Sequence, residues 1–181
     1  SIYFDDNKYS SVIENLDGVS NKKKFRVRWY GNQKIINNPI FEIKSKRGFE
    51  TKKTSNKINE LKNLKFPNME NLEFIKNTVN KKLNLKKTIY PLLTTAYERE
   101  YFISHDRKIR ATIDYNLKSI FLKNMSQLDI IKNFNSICIL EIKYSTKLDK
   151  YVRGNLKDIT LRLSKNSKFV NSAFDIPKFY S

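Results

Sequence analysis

The sequence predicts an α+β domain built mainly on an antiparallel sheet. Several stretches alternate apolar and polar residues with a period of two, which is typical of half-buried strands. Other stretches repeat apolar residues at helical spacing. The 181 residues contain neither an internal repeat nor a linker rich in Pro, Gly and Ser. We therefore expect a single domain over residues 1–181.

Six stretches are predicted as strands. They share a β-prone or alternating composition, and turn signals end the clearest of them. They span residues 1–5, 25–30, 40–46, 97–104, 109–116 and 136–144. The polar residues 105–108 have the length of a hairpin connection between the fourth and the fifth strand.

Four helices are predicted, three between these strands and one after the last strand. They share apolar residues three or four positions apart, and the first three follow a polar residue that can cap the first turn. They run from Ser55 to Pro67, from Asn68 to Leu83, from Ser126 to Phe134 and from Leu156 to Leu163.

The composition favours a polyanionic partner. Lys and Arg number 36 against 18 Asp and Glu, which gives a net charge of +18. Nucleic acid, an acidic membrane surface and phosphate-rich small molecules all fit this charge. The one cysteine, Cys138, excludes a disulfide framework or a Cys-based zinc site, and is expected in the core. We predict a cytoplasmic protein, because no apolar run is long enough to span a membrane.

The charged residues of several predicted strands share one face, because side chains two apart point the same way. These same-face groups are Arg26 with Arg28; Glu42 with Lys44 and Lys46; Arg110 with Asp114; and Glu141 with Lys143. One interpretation is a sheet with a solvated outer face. The other is a sheet closed into a basic tunnel. Arg and Lys would bind phosphate oxygens there, and carboxylates would hold a hard metal ion.

Short motifs along the whole chain resemble one known family. They are Ser1-Ile-Tyr-Phe-Asp5, Leu16-Asp-Gly18, Lys24-Phe-Arg-Val-Arg-Trp-Tyr-Gly31, Phe41-Glu-Ile-Lys-Ser-Lys46, Ala96-Tyr-Glu-Arg-Glu100, Arg110-Ala-Thr-Ile-Asp114, Leu140-Glu-Ile-Lys143 and Lys165-Asn-Ser167-Lys168. Their order is similar to that of the VTC domain. This is the polyphosphate polymerase domain of the vacuolar transporter chaperone complex and its bacterial relatives. It belongs to the triphosphate tunnel metalloenzymes, or CYTH-like superfamily.

The resemblance implies a fold, a reaction and a set of site residues. The fold is an antiparallel β-tunnel of about eight strands with helices packed outside. The reaction is transfer of the terminal phosphate of ATP to a polyphosphate chain, with Mn²⁺ or Mg²⁺ as cofactor. Together with the shared strand faces, the resemblance implies three sets of site residues. The catalytic residues are Arg26, Arg28, Lys44, Arg99 and Arg110, and the metal ligands are Glu141 and Glu42. The substrate-binding residues are Lys46, Lys52 or Lys53, Tyr97, Lys143, Lys165, Ser167 and Lys168. The choice between Lys52 and Lys53 is left open by the intervening loop.

The family domain normally begins with a further strand that carries a Glu-x-Lys motif. Because this chain begins downstream of that motif, we expect it to lack the family's first strand. That departure keeps two alternatives open: a triphosphatase of the same fold, and a non-catalytic polyphosphate-binding module. The expected partners are ATP or triphosphate and polyphosphate, with no specific nucleic acid. An acidic membrane surface or a membrane-protein partner is a further alternative, and the oligomeric state is left open.

Overall fold

The structure is a computed structural model of the chain. It describes residues 1–48, 50–66, 69–84, 87–123, 127–134, 137–157, 164 and 166–174, without the side chains at 69, 123 and 127–133. The chain divides into two compact units. Unit 1 takes its described residues from 1–96, 119–132 and 168–174, and unit 2 takes them from 97–118 and 133–167. The prediction of a single domain stays a prediction.

The strands form an antiparallel sheet. They are β1 (Ile2–Asp5), β2 (Lys22–Arg28), β3 (Ile40–Arg47), β4 (Glu50–Lys57), β5 (Tyr90–Ile103), β6 (Arg110–Lys123), β7 (Gln127–Phe134) and β8 (Ile139–Lys143). Hydrogen-bonded neighbours follow the order β4-β3-β2-β1-β5-β6-β7, and β8 pairs with β6. The pairs β1–β2, β1–β5, β2–β3, β3–β4 and β6–β8 are all antiparallel. The predicted α+β class is confirmed, and this strand order is consistent with the tunnel-like fold.

The described helices are α1 (Ser10–Leu16), α2 (Met69–Leu83), α3 (Asp149–Asn155) and α4 (Lys168–Ala173). Short 3₁₀ turns lie at Asn59–Leu61 and Thr146–Leu148. The prediction of α2 is confirmed: Leu72, Ile75 and Val79 form its buried stripe. No helix in the described part of the chain is long and apolar enough to cross a membrane.

The helix predicted from Ser55 is wrong. Residues 50–57 form β4, in which Ser55 lies across from Glu42 and Lys57 across from Ile40. Ile58 and Leu61 are buried in the core, but Ile58 precedes a single 3₁₀ turn and Leu61 ends it, so they do not line a helix. The polar segment 51–57 has no apolar alternation of its own, so pairing with β3 makes it a strand.

The helix predicted from Ser126 to Phe134 is also wrong, because the described residues 127–134 form β7 beside β6. A short apolar run fits either element, and only the partner strand decides between them. In the last predicted helix, Leu156 directly follows α3, and positions 158–163 lie outside the described residues. Helices α1, α3 and α4 were not predicted.

The core of unit 1 lies on both sides of β1. On one side, Ile2 and Phe4 pack in a cluster that includes Val27, Phe41 and the apolar stripe of α2. On the other side, Tyr3 packs in a second cluster with residues of α1, β5 and α4. Strand β1 is therefore buried along its whole length.

The core prediction for Cys138 is wrong, because this residue is exposed. Its neighbours Ile137 and Leu140 are each 40% exposed. Alternation along β8 correctly indicated a strand, but burial also needs a layer that covers the apolar face.

Candidate functional site

The register of β2, β3 and β4 brings charged residues onto one face of unit 1. Arg26 lies across from Glu42, and Lys24 lies across from Lys44, which in turn faces Lys53. Directly paired residues of antiparallel strands point to the same face. We call this group the strand-face cluster: Lys24, Arg26, Arg28, Glu42, Lys44 and Lys53. It places five cationic side chains around one carboxylate.

Glu42 is the buried anion of the strand-face cluster, with a side chain only 2% exposed. Arg26 donates from Nε to Glu42 Oε2 at 2.6 Å. Lys53 Nζ lies 2.6 Å from Oε1. Arg28 Nε lies 2.8 Å from Oε1 but makes no hydrogen bond, so this contact is an ion pair. Three cations thus fix one carboxylate.

The pKa of Glu42 lies below its ordinary value. Burial by itself would raise this pKa, but the close contact with Lys53 and the charges of Arg26 and Arg28 outweigh burial. Glu42 is therefore ionised at neutral pH. Because the carboxylate oxygens are engaged, the two arginines are held in place before any ligand binds.

Lys24 belongs to the strand-face cluster although it was not among the predicted site residues. Burial, followed by the nearby charges of Lys44, Lys22 and Arg26, lowers its pKa to about 8. Lys24 lies two residues before Arg26, so extending the alternation by one step would have found it. Its surroundings hold more positive charge than one carboxylate balances, which favours an anionic ligand.

Helix α4 lies beside the strand-face cluster. The ring of its Phe169 stacks on Tyr3 with centroids 5.0 Å apart, and the Lys24 ammonium lies 5.8 Å from the Phe169 ring centroid. Arg26 Nη1 donates to the Tyr3 hydroxyl at 3.4 Å. Lys168, the first residue of α4, was predicted to bind substrate, so the structure places this candidate next to Phe169.

The structure distinguishes Lys53 from Lys52. Lys53 pairs with Lys44 and reaches Glu42, so it lies on the charged face. Lys52 pairs with Ser45 and therefore points to the opposite face of the sheet. Lys46, another predicted contact, lies across from Thr51 on the charged face but is exposed.

In unit 2, Arg99 forms a two-point ion pair with Asp114. Arg99 Nε lies 2.5 Å from Oδ1 and Nη2 lies 2.7 Å from Oδ2, and Asp114 is 1% exposed. The hydrogen bonds with Asp114 raise the pKa of Arg99 further above its ordinary value. The rings of Tyr97 and Tyr101 lie 5.2 and 5.8 Å from its guanidinium carbon. Arg99 is thus fixed in orientation, with Tyr97 beside it.

Three further candidates of unit 2 meet on β6 and β8. Arg110 lies directly across from Lys143, and Thr112 lies across from Glu141. Glu141 is 46% exposed, and its Oε1 lies 3.2 Å from Lys143 Nζ. The buried Thr112 hydroxyl oxygen has no hydrogen-bond partner in the described part of the chain.

The described residues do not build a metal cage, since they contain no group of three or more His, Cys, Asp or Glu suited to it. A magnesium-type ion does not need one, because such ions commonly bind one or two carboxylates together with substrate phosphates. Glu141 fits this use, because it is accessible and its carboxylate contacts the likewise accessible Lys143 ammonium. Glu42 fits it less well, because three cations already contact its carboxylate.

The predicted site residues therefore fall into two groups. In unit 1 the structure joins Arg26, Arg28, Glu42, Lys44 and Lys53. In unit 2 it joins Arg110, Glu141 and Lys143, and it places Arg99 with Tyr97. Ser167 directly precedes α4, and Lys165 lies outside the described residues.

Comparison with known proteins identifies one family. The sequence model of the VTC domain matches residues 1–174 of the 181-residue chain. No curated protein matches the chain.

Proposed function

The chain belongs to the VTC domain family, and from this premise we propose that it is an ATP-dependent polyphosphate polymerase. It would transfer the terminal phosphate of ATP to a polyphosphate chain with the help of a divalent metal. The observation that carries the proposal is the strand-face cluster, in which buried Glu42 fixes Arg26 and Arg28 on a rigid sheet.

The strand-face cluster suits a phosphate chain better than an isolated anion. Its five cations lie on three adjacent strands, so positive charge extends across the strands as well as along them. Arginine forks bind phosphate oxygens in a fixed geometry, and lysine adds a mobile point charge. Since Glu42 already holds the arginines, binding costs less side-chain entropy than it would at a flexible surface.

The reaction requires positioning and charge neutralisation more than covalent participation of the protein. An oxygen on the terminal phosphate of the chain forms a new bond to the γ-phosphorus of ATP. The bond between that phosphorus and the oxygen bridging to the β-phosphate breaks, and ADP leaves with the electron pair. The acceptor oxygen is already ionised, so no strong general base is needed. Arg26, Arg28 and Lys44, and in unit 2 Arg99 and Arg110, are the proposed clamps on phosphate oxygens.

The proposed metal ligand is Glu141, and the cofactor is Mn²⁺ or Mg²⁺. Glu141 would hold such an ion, which would supply positive charge against the phosphate groups. Glu42 takes a positioning role in this proposal, because it touches the arginines that touch the substrate. Lys46, Lys53, Tyr97, Lys143, Lys165, Ser167 and Lys168 are proposed as further contacts along the chain.

The proposed partners are ATP or triphosphate and polyphosphate, without a specific nucleic acid. We place the reaction in the cytoplasm, where ATP is supplied. An acidic membrane surface or a membrane-protein partner would bring the protein to the cytoplasmic face of a membrane.

The test is synthesis from purified components. The full-length protein, incubated with ATP and Mn²⁺, is expected to produce chains that resist nucleases and are degraded by an exopolyphosphatase. Arg26→Ala is expected to abolish synthesis, whereas Lys62→Ala, at an exposed position outside the strand-face cluster, leaves it unchanged. Release of phosphate without chain growth would instead identify a triphosphatase. Binding of polyphosphate without turnover would identify a binding module.

A further inference from the structure

A concavity of about 470 Å³ lies in unit 2, at the end of the β5–β6 hairpin. Its polar lining comes from Arg107, Lys108, Arg110, Lys143, Tyr144 and Ser145. We call it the hairpin pocket. Arg110 and Lys143 are already candidate substrate contacts, but Arg107, Lys108, Tyr144 and Ser145 are not. The volume lies in the range of small-molecule sites.

The turn that carries Arg107 is held rigidly by its own side chains. Ser104 Oγ donates to Asp106 Oδ1 at 2.6 Å and accepts from the Ile109 amide at 3.0 Å. The Lys108 amide donates to the same Asp106 oxygen at 3.1 Å. The Arg107 amide donates to the Ser104 carbonyl at 2.8 Å. Both basic side chains therefore project from a fixed backbone.

Arg107 has a φ of 59°, in the left-handed region that Gly or Asn usually occupies. An arginine there costs about 1 kcal/mol relative to a glycine with the same backbone. The turn itself needs no arginine, since its hydrogen bonds use the backbone of residue 107 only. The guanidinium of Arg107 therefore takes no part in holding the turn.

The charges of the hairpin pocket are only partly balanced. Lys108 Nζ lies 3.5 Å from Asp106, and Lys143 Nζ lies 3.2 Å from Glu141. In the described part of the chain, no carboxylate lies within 4.0 Å of the guanidinium nitrogens of Arg107 or Arg110. Two guanidinium groups are therefore available to an anion. The Tyr144 hydroxyl donates to Asp149 at 2.9 Å, which fixes the ring at the pocket wall.

We propose that the hairpin pocket binds phosphate groups of a polyphosphate chain beyond the terminal three. The proposal rests on polyphosphate being the polymer that this protein handles, and it adds a distal subsite to it. Its lining is dominated by cations, which suits repeated negative charge better than a nucleobase. Because Arg110 lies both on the β6 face with Thr112 and in this pocket, one chain can continue from Arg110 to Arg107.

The test compares ligands of two lengths on one double variant, Arg107→Gly with Lys108→Ala. Glycine adopts the φ of residue 107 without strain, so the turn is retained. The control, Lys62→Ala with Lys81→Ala, also removes two positive charges, but from exposed positions of unit 1. The full-length protein is titrated with inorganic triphosphate and with long-chain polyphosphate, both supplied ready-made.

We expect the double variant to bind long-chain polyphosphate about tenfold more weakly than the control, which corresponds to about 1.4 kcal/mol. Its affinity for triphosphate should equal that of the control. Arg107→Lys with native Lys108 should restore most of the loss, because the charge is kept. The affinity of the double variant for the long chain should also depend less on salt. The logarithm of this affinity should fall less steeply with the logarithm of salt concentration, since fewer cations contact phosphate.

Equal affinities of the double variant and the control for long chains would overturn the proposal. A loss of the same size for triphosphate would overturn it too, because the pocket would then not be a distal subsite. A different result would contradict the proposed polymerase reaction, namely that the unsubstituted protein makes no polymer from ATP. Binding of supplied polyphosphate remains measurable in that case, so the two failures are distinguishable.

Discussion

Glu42 and Arg26 lie directly opposite each other on β3 and β2, and Arg26 Nε is 2.6 Å from Glu42 Oε2. The carboxylate is 2% exposed and also contacts Arg28 and Lys53. Because this carboxylate fixes two arginines, its removal is expected to affect both the stability of the sheet and the proposed phosphate binding.

Glu42→Gln is expected to lower the free energy of unfolding by about 2–3 kcal/mol, at or just below the range for breaking a buried ion pair. The estimate is kept low because Arg26 and Arg28 are 29% and 23% exposed, so water partly solvates them after the substitution. Urea unfolding measures the change. Glu60→Gln, which loses an exposed pair with Lys82, is the control and should have little effect. Equal effects of the two substitutions would contradict the assigned role of Glu42.

Glu42 should also make the free energy of unfolding depend on pH. Its pKa in the folded protein lies below its unfolded value, so its stabilising contribution is fully present above the unfolded pKa. That contribution is lost as the pH falls through the folded pKa. Unfolding of the native protein and of Glu42→Gln is to be compared between neutral pH and about pH 3. The stability difference should shrink with falling pH, and a constant difference would contradict this prediction.

Lys24 is expected to couple phosphate binding to proton uptake. Its pKa is lowered to about 8, so near pH 8 about half of the unliganded molecules carry an uncharged Lys24. A bound anion favours the charged form and raises this pKa. Triphosphate binding should therefore take up protons near pH 8 and weaken above it, as calorimetry in buffers of different ionisation enthalpy measures. Lys24→Arg should remove the uptake, and uptake that persists in this variant would show another origin.

Lys53 and Lys52 form a matched pair for testing the charged face. Lys53 contacts Glu42, whereas Lys52 points to the other side of β4. Lys53→Ala should weaken triphosphate binding about tenfold, and Lys52→Ala should change it less than twofold. The two variants lose the same charge, so any difference reports position. Equal losses would indicate non-specific attraction.

Glu141→Gln is expected to raise the Mn²⁺ concentration needed for half-maximal synthesis about tenfold. Urea unfolding should be unchanged within error, because Glu141 is 46% exposed and its contact with Lys143 is on the surface. Glu98→Gln is the matched control, since Glu98 accepts a hydrogen bond from Asn116 instead. An unaltered Mn²⁺ requirement in Glu141→Gln would remove this residue from the proposed metal site.

The charged faces of β2 and β3 could be predicted from sequence because alternation is local. Arg26 and Arg28, or Glu42 and Lys44, share a face in any straight strand. The engagement of Glu42 by three cations could not be predicted, because it depends on the register between strands. The same holds for Lys53, whose strand β4 is entirely polar and gives no periodic signal. Nor could the stacking of Phe169 on Tyr3 be predicted, since no local pattern links two residues so distant in sequence.

The stacking of Tyr3 on Phe169 determines when helix α4 can pack beside the strand-face cluster. The two residues are 169 − 3 = 166 positions apart in the chain. Contacts of such separation carry a large loop-closure entropy and form late. During synthesis, β1 to β3 emerge long before residue 169 leaves the ribosome. Lys24 can therefore gain its contact with the Phe169 ring only after residue 169 has left the ribosome.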